Sequence, residues 1–170
     1  QLEAILPPIK EERDKWGDFP IIAAGGIWDR NDIEKIMDLG ADAVQMGTRF
    51  IGTHECDASP VLKQVLINAK EEDIVIVSSP VGYPGRAVKT DLIKTLEPGT
   101  KKIQCISNCI FPCNRGEGAR RVGYCIADSL GDAYLGRLQS GLFFSGANGY
   151  KLKEIVHVKE LIDELMTNVK

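Results

Sequence analysis

Two segments decide the fold: FPIIAAGGI at Phe19–Ile27 and ADAVQMGTRF at Ala41–Phe50. In each segment an apolar run ends in a turn that contains glycine, and a helical pattern follows. Ile21 and Ile22 form the short apolar run that is typical of a strand covered on both faces. The pattern therefore predicts two consecutive strand–helix units whose glycine turns lie side by side.

The helix between the two strands is predicted from its start and stop signals. Asn31 is the expected N-cap, and Glu34 three residues later would complete a capping box. Gly40 lies at the predicted end of this helix, where a residue in the left-handed conformation commonly follows the last turn. The predicted buried stripe consists of Ile33, Ile36 and Met37.

The glycine turns predict a phosphate site. Glycine at positions 25 and 26 lets an anion approach the main chain closely, and the helix after each turn would offer unpaired N–H groups and a positive dipole end. Gly47 and Thr48 would supply the second half of the site. In eight-stranded β/α barrels, the loops after the last two strands often form such a phosphate site. The alternative, a βαβ element whose glycines only make turns, stays open because a Gly-Gly pair alone is a weak signal.

The same motifs resemble a known family. AAGGIWD at 23–29, followed by GADAVQMGTRF at 40–50, is similar to the nitronate monooxygenases, formerly called 2-nitropropane dioxygenases, which are FMN-dependent barrel enzymes. The flavin-dependent enoyl-ACP reductases share both turns. Further matches are SPVGYPGRAV at 79–88, YCIADSL at 124–130 and GLFFSGANGYKLKEIVHVKELIDEL at 141–165. The resemblance covers most of the chain from Leu6 onward.

The resemblance implies FMN as cofactor and a set of residues that contact it. These cofactor-binding residues are Gly25, Gly26, Gln45, Met46, Gly47 and Thr48. Gly26, Gly47 and Thr48 match both the motif and the backbone argument. Gln45 would donate or accept a side-chain hydrogen bond at the flavin or its ribityl tail. Arg49 is interpreted as an ion-pairing residue below the site.

The predicted fold is α/β: the C-terminal part of a TIM (β/α)8 barrel, with a loop-rich, cysteine-containing insertion and C-terminal helices. A whole barrel of this kind needs about 250 residues, and this sequence has 170. We expect barrel units with the FMN-phosphate site at 1–78, and the loop-rich insertion and helical segment at 79–170. The family's catalytic histidine has no matching position here, so we assign no catalytic residue and expect little or no turnover from this chain alone. His54 is interpreted as a surface loop residue, and His157 as a partly exposed residue of the last helix.

Three functions stay open. The favoured one is FMN-dependent oxidation of nitronates or nitroalkanes by oxygen, and the second is flavin-dependent enoyl-ACP reduction. The third is a non-catalytic module that binds a metal or a partner through its cysteines. That cysteine group is Cys105, Cys109, Cys113 and Cys125. We assign no metal ligand, because evenly spaced cysteines do not form the two pairs that zinc sites use, although metal binding and disulfide formation remain alternatives to buried thiols.

The composition of the chain limits the classes of molecule that it is expected to bind. The formal net charge of −3 argues against nucleic acid, and no apolar run approaches the length of a membrane span. We therefore expect a cytoplasmic protein that acts on a small-molecule substrate. Parallel strands from part of a barrel leave edges uncovered, which predicts either a homo-oligomer or pairing with the missing N-terminal half of the barrel.

Overall fold

The computed structural model describes residues 2–96 and 122–167. In chain order the helices and strands are α1 (Leu2–Trp16), β1 (Ile22–Ala24), α2 (Arg30–Asp38), β2 (Ala43–Gln45), α3 (Thr48–Ile51), α4 (Pro60–Asn68), β3 (Ile74–Val77), β4 (Gly85–Val88), α5 (Asp91–Lys94), α6 (Ile126–Tyr134) and α7 (Val158–Met166). The chain is thus α/β, as predicted. None of the described helices combines the length and the apolar content needed to cross a bilayer.

The chain forms two compact units. The first comprises Gln1–Cys56 and Ile155–Lys170, and the second comprises Asp57–Glu154. This division follows contacts within the fold. The sequence predicts a different division, based on pattern along the chain: barrel units at 1–78 and a loop-rich and helical remainder at 79–170. That division stays a prediction.

In the first unit, β1 and β2 pair in parallel, with Ile22 opposite Ala43 and Ala24 opposite Gln45. Ala23 is buried, whereas the side chain of Ile22 is 62% exposed. The expectation that both faces of this strand are covered is therefore wrong for the described chain. Successive side chains of a strand point to opposite faces, and the core of this unit lies on one of them. That core consists of Leu6, Ile21, Ala23, Ile27, Ile33, Ile36, Ala41, Leu161 and Leu165.

Helix α2 begins two residues earlier than predicted. Its N-cap is Asp29, whose Oδ1 accepts a hydrogen bond from the amide of Asp32 at 3.0 Å. The carboxylate of Asp32 completes the capping box by accepting from the amide of Asp29. The predicted box of Asn31 and Glu34 is therefore wrong, because an aspartate two positions upstream offers the same side-chain oxygen.

The remaining predictions for α2 are mostly confirmed. Ile33 and Ile36 are buried, and Gly40 has a φ of 101°. Met37 was expected in the buried stripe, but its side chain is 38% exposed. The core of this unit thus takes up a narrower stripe of the helix than the sequence pattern suggested.

Helix α7 joins the first unit through a short bridge ahead of its first turn. Thr53 and Val156 form an isolated parallel bridge, and the amide of His54 donates to the carbonyl of Val156 at 3.0 Å. The sequence predicts a last helix near Ile155–Val169 that buries Val158, Leu161, Ile162 and Leu165. Leu161 and Leu165 are buried as expected, whereas Val158 is only partly buried and Ile162 is 41% exposed, so the buried stripe is narrower than predicted. The C-terminal helix is therefore part of the unit that carries the two glycine turns.

The second unit contains an antiparallel hairpin. β3 pairs with β4, with Ile74 opposite Val88 and Val77 opposite Gly85. From Ser79 to about Gly123 the sequence predicts loop with one short helix near Thr90–Leu96, so β4 corrects that expectation, and α5 confirms the short helix. The sequence predicts Ser59 as an N-cap and Pro60 as the first helical residue of α4. Both are confirmed, since α4 begins at Pro60 and the Oγ of Ser59 accepts from the amide of Leu62 at 3.2 Å.

Candidate phosphate-binding site

The two glycine turns leave the sheet at the same edge. Parallel pairing places Ala24 opposite Gln45, the last residues of β1 and β2. Gly25 and Gly26 follow the first strand directly, and Gly47 lies two residues after the second. In open parallel sheets, the edge at the carboxyl ends of the strands is where ligands bind.

The backbone of both turns is open to solvent. Gly25 and Gly26 have φ values of 93° and 75°, which side chains other than glycine disfavour. Gly47 has an ordinary φ of −111°. At all three glycines, no heavy atom of the described residues other than those of the chain neighbours lies within 4 Å of the place a Cβ would take. An anion can therefore approach the main chain of both turns, which is the property a phosphate cradle requires.

The other predicted contact residues differ in what they offer. The side chain of Gln45 is exposed at the end of β2. The side chain of Met46 packs against the core of the first unit, so its role there is packing, and only its backbone remains for a ligand. Thr48 is the first residue of α3 and is partly buried.

The start of α2 does not match the expected anion site. The carboxylate of Asp32 accepts hydrogen bonds from the amides of Trp28 at 2.8 Å and Asp29 at 3.4 Å. Asp29 in turn accepts from the amide of Asp32. In the first turn of α2 the amide of Asp32 is thus taken by a side chain, so this helix presents fewer unpaired N–H groups than expected, and its two carboxylates already complement the dipole. The start of α2 is therefore a less favourable place for an anion than the exposed backbone of the glycine turns.

Arg49 lies on the first turn of α3 and pairs with the C-terminal helix. Its Nη2 donates to the two carboxylate oxygens of Glu164 at 2.9 and 3.1 Å, which confirms the predicted ion pair. Its Cζ lies 5.1 Å from the ring centroid of Trp28, within cation–π range. Sequence reasoning missed Trp28, although it stands inside the AAGGIWD motif.

The two histidines meet on the surface of the first unit. The ring centroids of His54 and His157 are 4.5 Å apart, and the Nδ1 of His157 lies 3.0 Å from the Oε1 of Glu55. Both residues are exposed, which confirms the prediction for His54, whereas His157 is the N-cap of α7 and not a residue within that helix. Hydrogen bonds from the amide of Val158 and from His157 hold the pKa of Glu55 below its usual range. The arrangement joins the segment after α3 to the start of α7, where the amide of Val158 also donates to Glu55 at 2.9 Å.

The cysteine prediction is largely untested. Cys105, Cys109 and Cys113 lie outside the described residues. Cys56 and Cys125 form no disulfide with a described residue. Across residues 2–96 and 122–167, no three His, Cys, Asp or Glu side chains are arranged to hold a metal ion. Metal binding through the four-cysteine group therefore stays an alternative.

Comparison with known proteins gives one family. The family model described as nitronate monooxygenase matches residues 2–168 of this chain. A probable nitronate monooxygenase of Staphylococcus saprophyticus is 38% identical over 76 residues, which are 45% of this chain and 21% of that protein.

Solved structures give a consistent similarity. The structure of FabK from Thermotoga maritima superposes with a TM-score of 0.74 and 27% identity, covering 98% of this chain and 48% of that one. The nitroalkane oxidase of Streptomyces ansochromogenes has a TM-score of 0.68 at 20% identity, over 99% of this chain and 43% of that one, which is a likeness of fold. This chain therefore spans less than half the length of either solved protein.

Proposed function

Because this chain belongs to the nitronate monooxygenase family, we propose that its two glycine turns hold the phosphate of FMN in a flavin-dependent oxidoreductase that oxidises nitronates with oxygen. The residues proposed to hold the cofactor are Gly25, Gly26, Gln45, Met46, Gly47 and Thr48. The bound flavin would supply the electron transfer. The part of this chain is to fix the phosphate end and thereby to orient the coenzyme.

One observation carries the proposal. The register of β1 and β2 sets both turns at one sheet edge, and the space beside Gly25, Gly26 and Gly47 is open. Hydrogen bonds from backbone amides to a charged acceptor contribute about 1.5–3 kcal/mol each. A phosphate held by amides of two turns should therefore add at least about tenfold to affinity, since 1.4 kcal/mol corresponds to a factor of ten.

Catalysis of proton transfer is assigned to no residue of this chain. The rings of His54 and His157 are exposed and lie against each other at an angle of 34°, and the Nδ1 of His157 lies 3.0 Å from the Oε1 of Glu55. We therefore propose that the chain by itself binds flavin but turns over nitronates slowly or not at all. The substrate is proposed to be a small nitronate or nitroalkane, and the setting a cytoplasmic one.

A fluorescence titration tests the phosphate site. The purified 170-residue chain is titrated with FMN and with riboflavin, which lacks the phosphate. We expect FMN to bind at least about tenfold more tightly. Gly47→Ala should reduce that preference, because a methyl group would occupy the open space at the turn while the ordinary φ tolerates alanine. Gly131→Ala, in α6 and equally open, is the matched control. Equal binding of FMN and riboflavin would refute the proposal.

A second assay separates the two flavin activities that the motifs leave open. A longer protein that contains this chain is given a nitronate and oxygen, or NADH and an enoyl thioester. Oxygen uptake that depends on the nitronate is the expected result. Oxidation of NADH that depends on the enoyl thioester, without nitronate-dependent oxygen uptake, would instead assign the reductase activity.

A further inference from the structure

We infer that Arg49 is a positioning residue: stacked on Trp28 and paired with Glu164, it sets the spacing of the two glycine turns and thereby the affinity for the FMN phosphate. The inference rests on the proposed function and concerns the same site. It assigns a role to three side chains that need not touch the coenzyme themselves.

Trp28 and Arg49 occupy equivalent positions in the sequence after the two glycine turns. Trp28 stands two residues after Gly26, and Arg49 stands two residues after Gly47. The guanidinium Cζ lies 5.1 Å from the centre of the indole ring. A contact between these two side chains therefore ties together the segments that leave the sheet at the same edge. Any change in that contact alters the separation of the turns.

The tryptophan is held in place independently. Its side chain is buried, and its amide donates to the carboxylate of Asp32 at 2.8 Å, at the start of α2. Ile27 next to it belongs to the core of the first unit. The ring is thus a fixed platform, and the guanidinium that stacks on it takes its position from that platform.

The carboxylate of Glu164 fixes the other side of the guanidinium. Nη2 donates to both of its oxygens, and the side chain of Arg49 is 12% exposed, against 53% for Glu164. The Nε of Arg49 is buried and makes no hydrogen bond to any residue of the described ranges. The ring and the one carboxylate therefore set the orientation of this cation, because a complete set of hydrogen bonds does not. Loss of either contact should release it.

A direct attraction between the charge of Arg49 and the phosphate is the competing explanation. The two explanations differ in what Trp28 does. Replacing the ring by an aliphatic side chain leaves the charge of Arg49 in place but removes the platform. Positioning predicts a loss of phosphate affinity in that variant, whereas direct attraction predicts none.

The test compares variants of the 170-residue chain by their ratio of riboflavin to FMN dissociation constants. Arg49→Met and Trp28→Leu should each lower the ratio about tenfold, as expected for loss of a partly desolvated cation–π contact. Glu164→Gln should lower it a few-fold. Arg49→Lys, which keeps a cation but lacks the planar fork, should restore part of the ratio.

A matched control lies on the same helix. Lys159 and Asp163 form an exposed ion pair on α7, so Lys159→Gln removes a charge pair from that helix without touching the stack. Its ratio should equal that of the parent chain. Thermal unfolding followed by circular dichroism identifies variants that fail to fold. Should Trp28→Leu be one of them, Glu164→Gln changes a half-exposed side chain and still decides the outcome.

Each result has one meaning. A parent chain that binds FMN no more tightly than riboflavin overturns the proposed function and this inference with it. A parent chain with the FMN preference, but with folded Arg49 and Glu164 variants that keep it in full, overturns this inference alone. So does an equal loss of affinity for FMN and riboflavin, because that is the result of general disruption rather than of a misplaced phosphate site.

Discussion

The turn after β1 and the turn after β2 lie at one sheet edge, yet their glycines are there for different reasons. Gly25 and Gly26 have positive φ values, so the backbone conformation alone requires glycine or strongly favours it. Gly47 has a φ of −111°, which any residue adopts. The φ value therefore does not explain the absence of a side chain at Gly47, and the explanation that we propose is access of the FMN phosphate to the backbone.

The helices after the two turns differ as well. α2 begins with Asp29 and Asp32 closing its own N-terminus, so two carboxylates stand beside the first turn. α3 begins at Thr48 directly after a residue without a side chain. Glycine content alone therefore does not identify a phosphate site. The second turn is the better candidate for the anion, and the first is both structurally required and electrostatically less favourable.

The largest expected effect is at the first turn. Gly26→Ala should lower the free energy of unfolding by about 1–2 kcal/mol, because alanine resists a left-handed conformation, and should also weaken FMN binding. Gly17→Ala is the matched control: Gly17 has a φ of 112° and open space, and it lies at the end of α1. It should show a similar stability loss in urea unfolding but no change in FMN affinity. Weakened FMN binding in both variants would show that binding merely follows stability.

Acid should loosen the supports of both turns. Hydrogen bonding by the amide of Ile21, together with Arg13, lowers the pKa of Asp42, which links the entry to β1 with the entry to β2. The pKa of Glu55, at the start of α7, is lowered too. A carboxyl with a depressed pKa in the folded state stabilises the fold above its unfolded pKa, and that contribution is lost as the pH falls through the folded value.

Thermal unfolding between pH 7 and pH 3 measures this dependence. The melting temperature should begin to fall near pH 5, since unfolded aspartate and glutamate titrate around 3.9 and 4.3. In Asp42→Asn the acid-dependent part of that fall should be smaller, because one of the titrating groups is absent. A variant with the same pH profile as the parent chain would show that the Asp42 carboxylate does not support the strand pair.

The smallest expected effect is the change in FMN affinity when the negative charge beside the first turn is removed. Asn and Asp are equally good N-caps, so Asp29→Asn should keep the stability of α2 while removing one negative charge. FMN affinity should rise about twofold at low ionic strength and lose that gain in 0.15 M salt, where charges are screened over about 8 Å. Riboflavin affinity should not change. Equal gains for both flavins would mean that the charge acts on something other than the phosphate.

Local chemistry in the sequence predicted several features of this fold. Gly40 at the end of α2, Ser59 ahead of Pro60 and the paired glycine turns each carry a signal within a few residues. Their conformations are set mainly by their own side chains or by the lack of one. The ion pair of Arg49 was also expected, although its partner Glu164, 115 positions away, was not.

Features that depend on distant parts of the chain were missed. Whether Ile22 is covered depends on which face of the strand pair the core occupies. β4 was interpreted as loop because Gly85 and Arg86 interrupt its apolar pattern, and only pairing with β3 makes it a strand. Glu55 and His157 are 102 positions apart, so nothing local announces their contact. The contact between Trp28 and Arg49 was missed for the same reason, because it also joins residues that are distant in the sequence.

The most direct test of the two-turn phosphate site is a nitrogen–proton correlation NMR titration of the labelled chain with FMN and with riboflavin. We expect FMN, but not riboflavin, to produce large shifts of the amide signals of Gly25, Gly26, Gly47 and Thr48. Identical shifts with both flavins, or phosphate-dependent shifts confined to other residues, would contradict it.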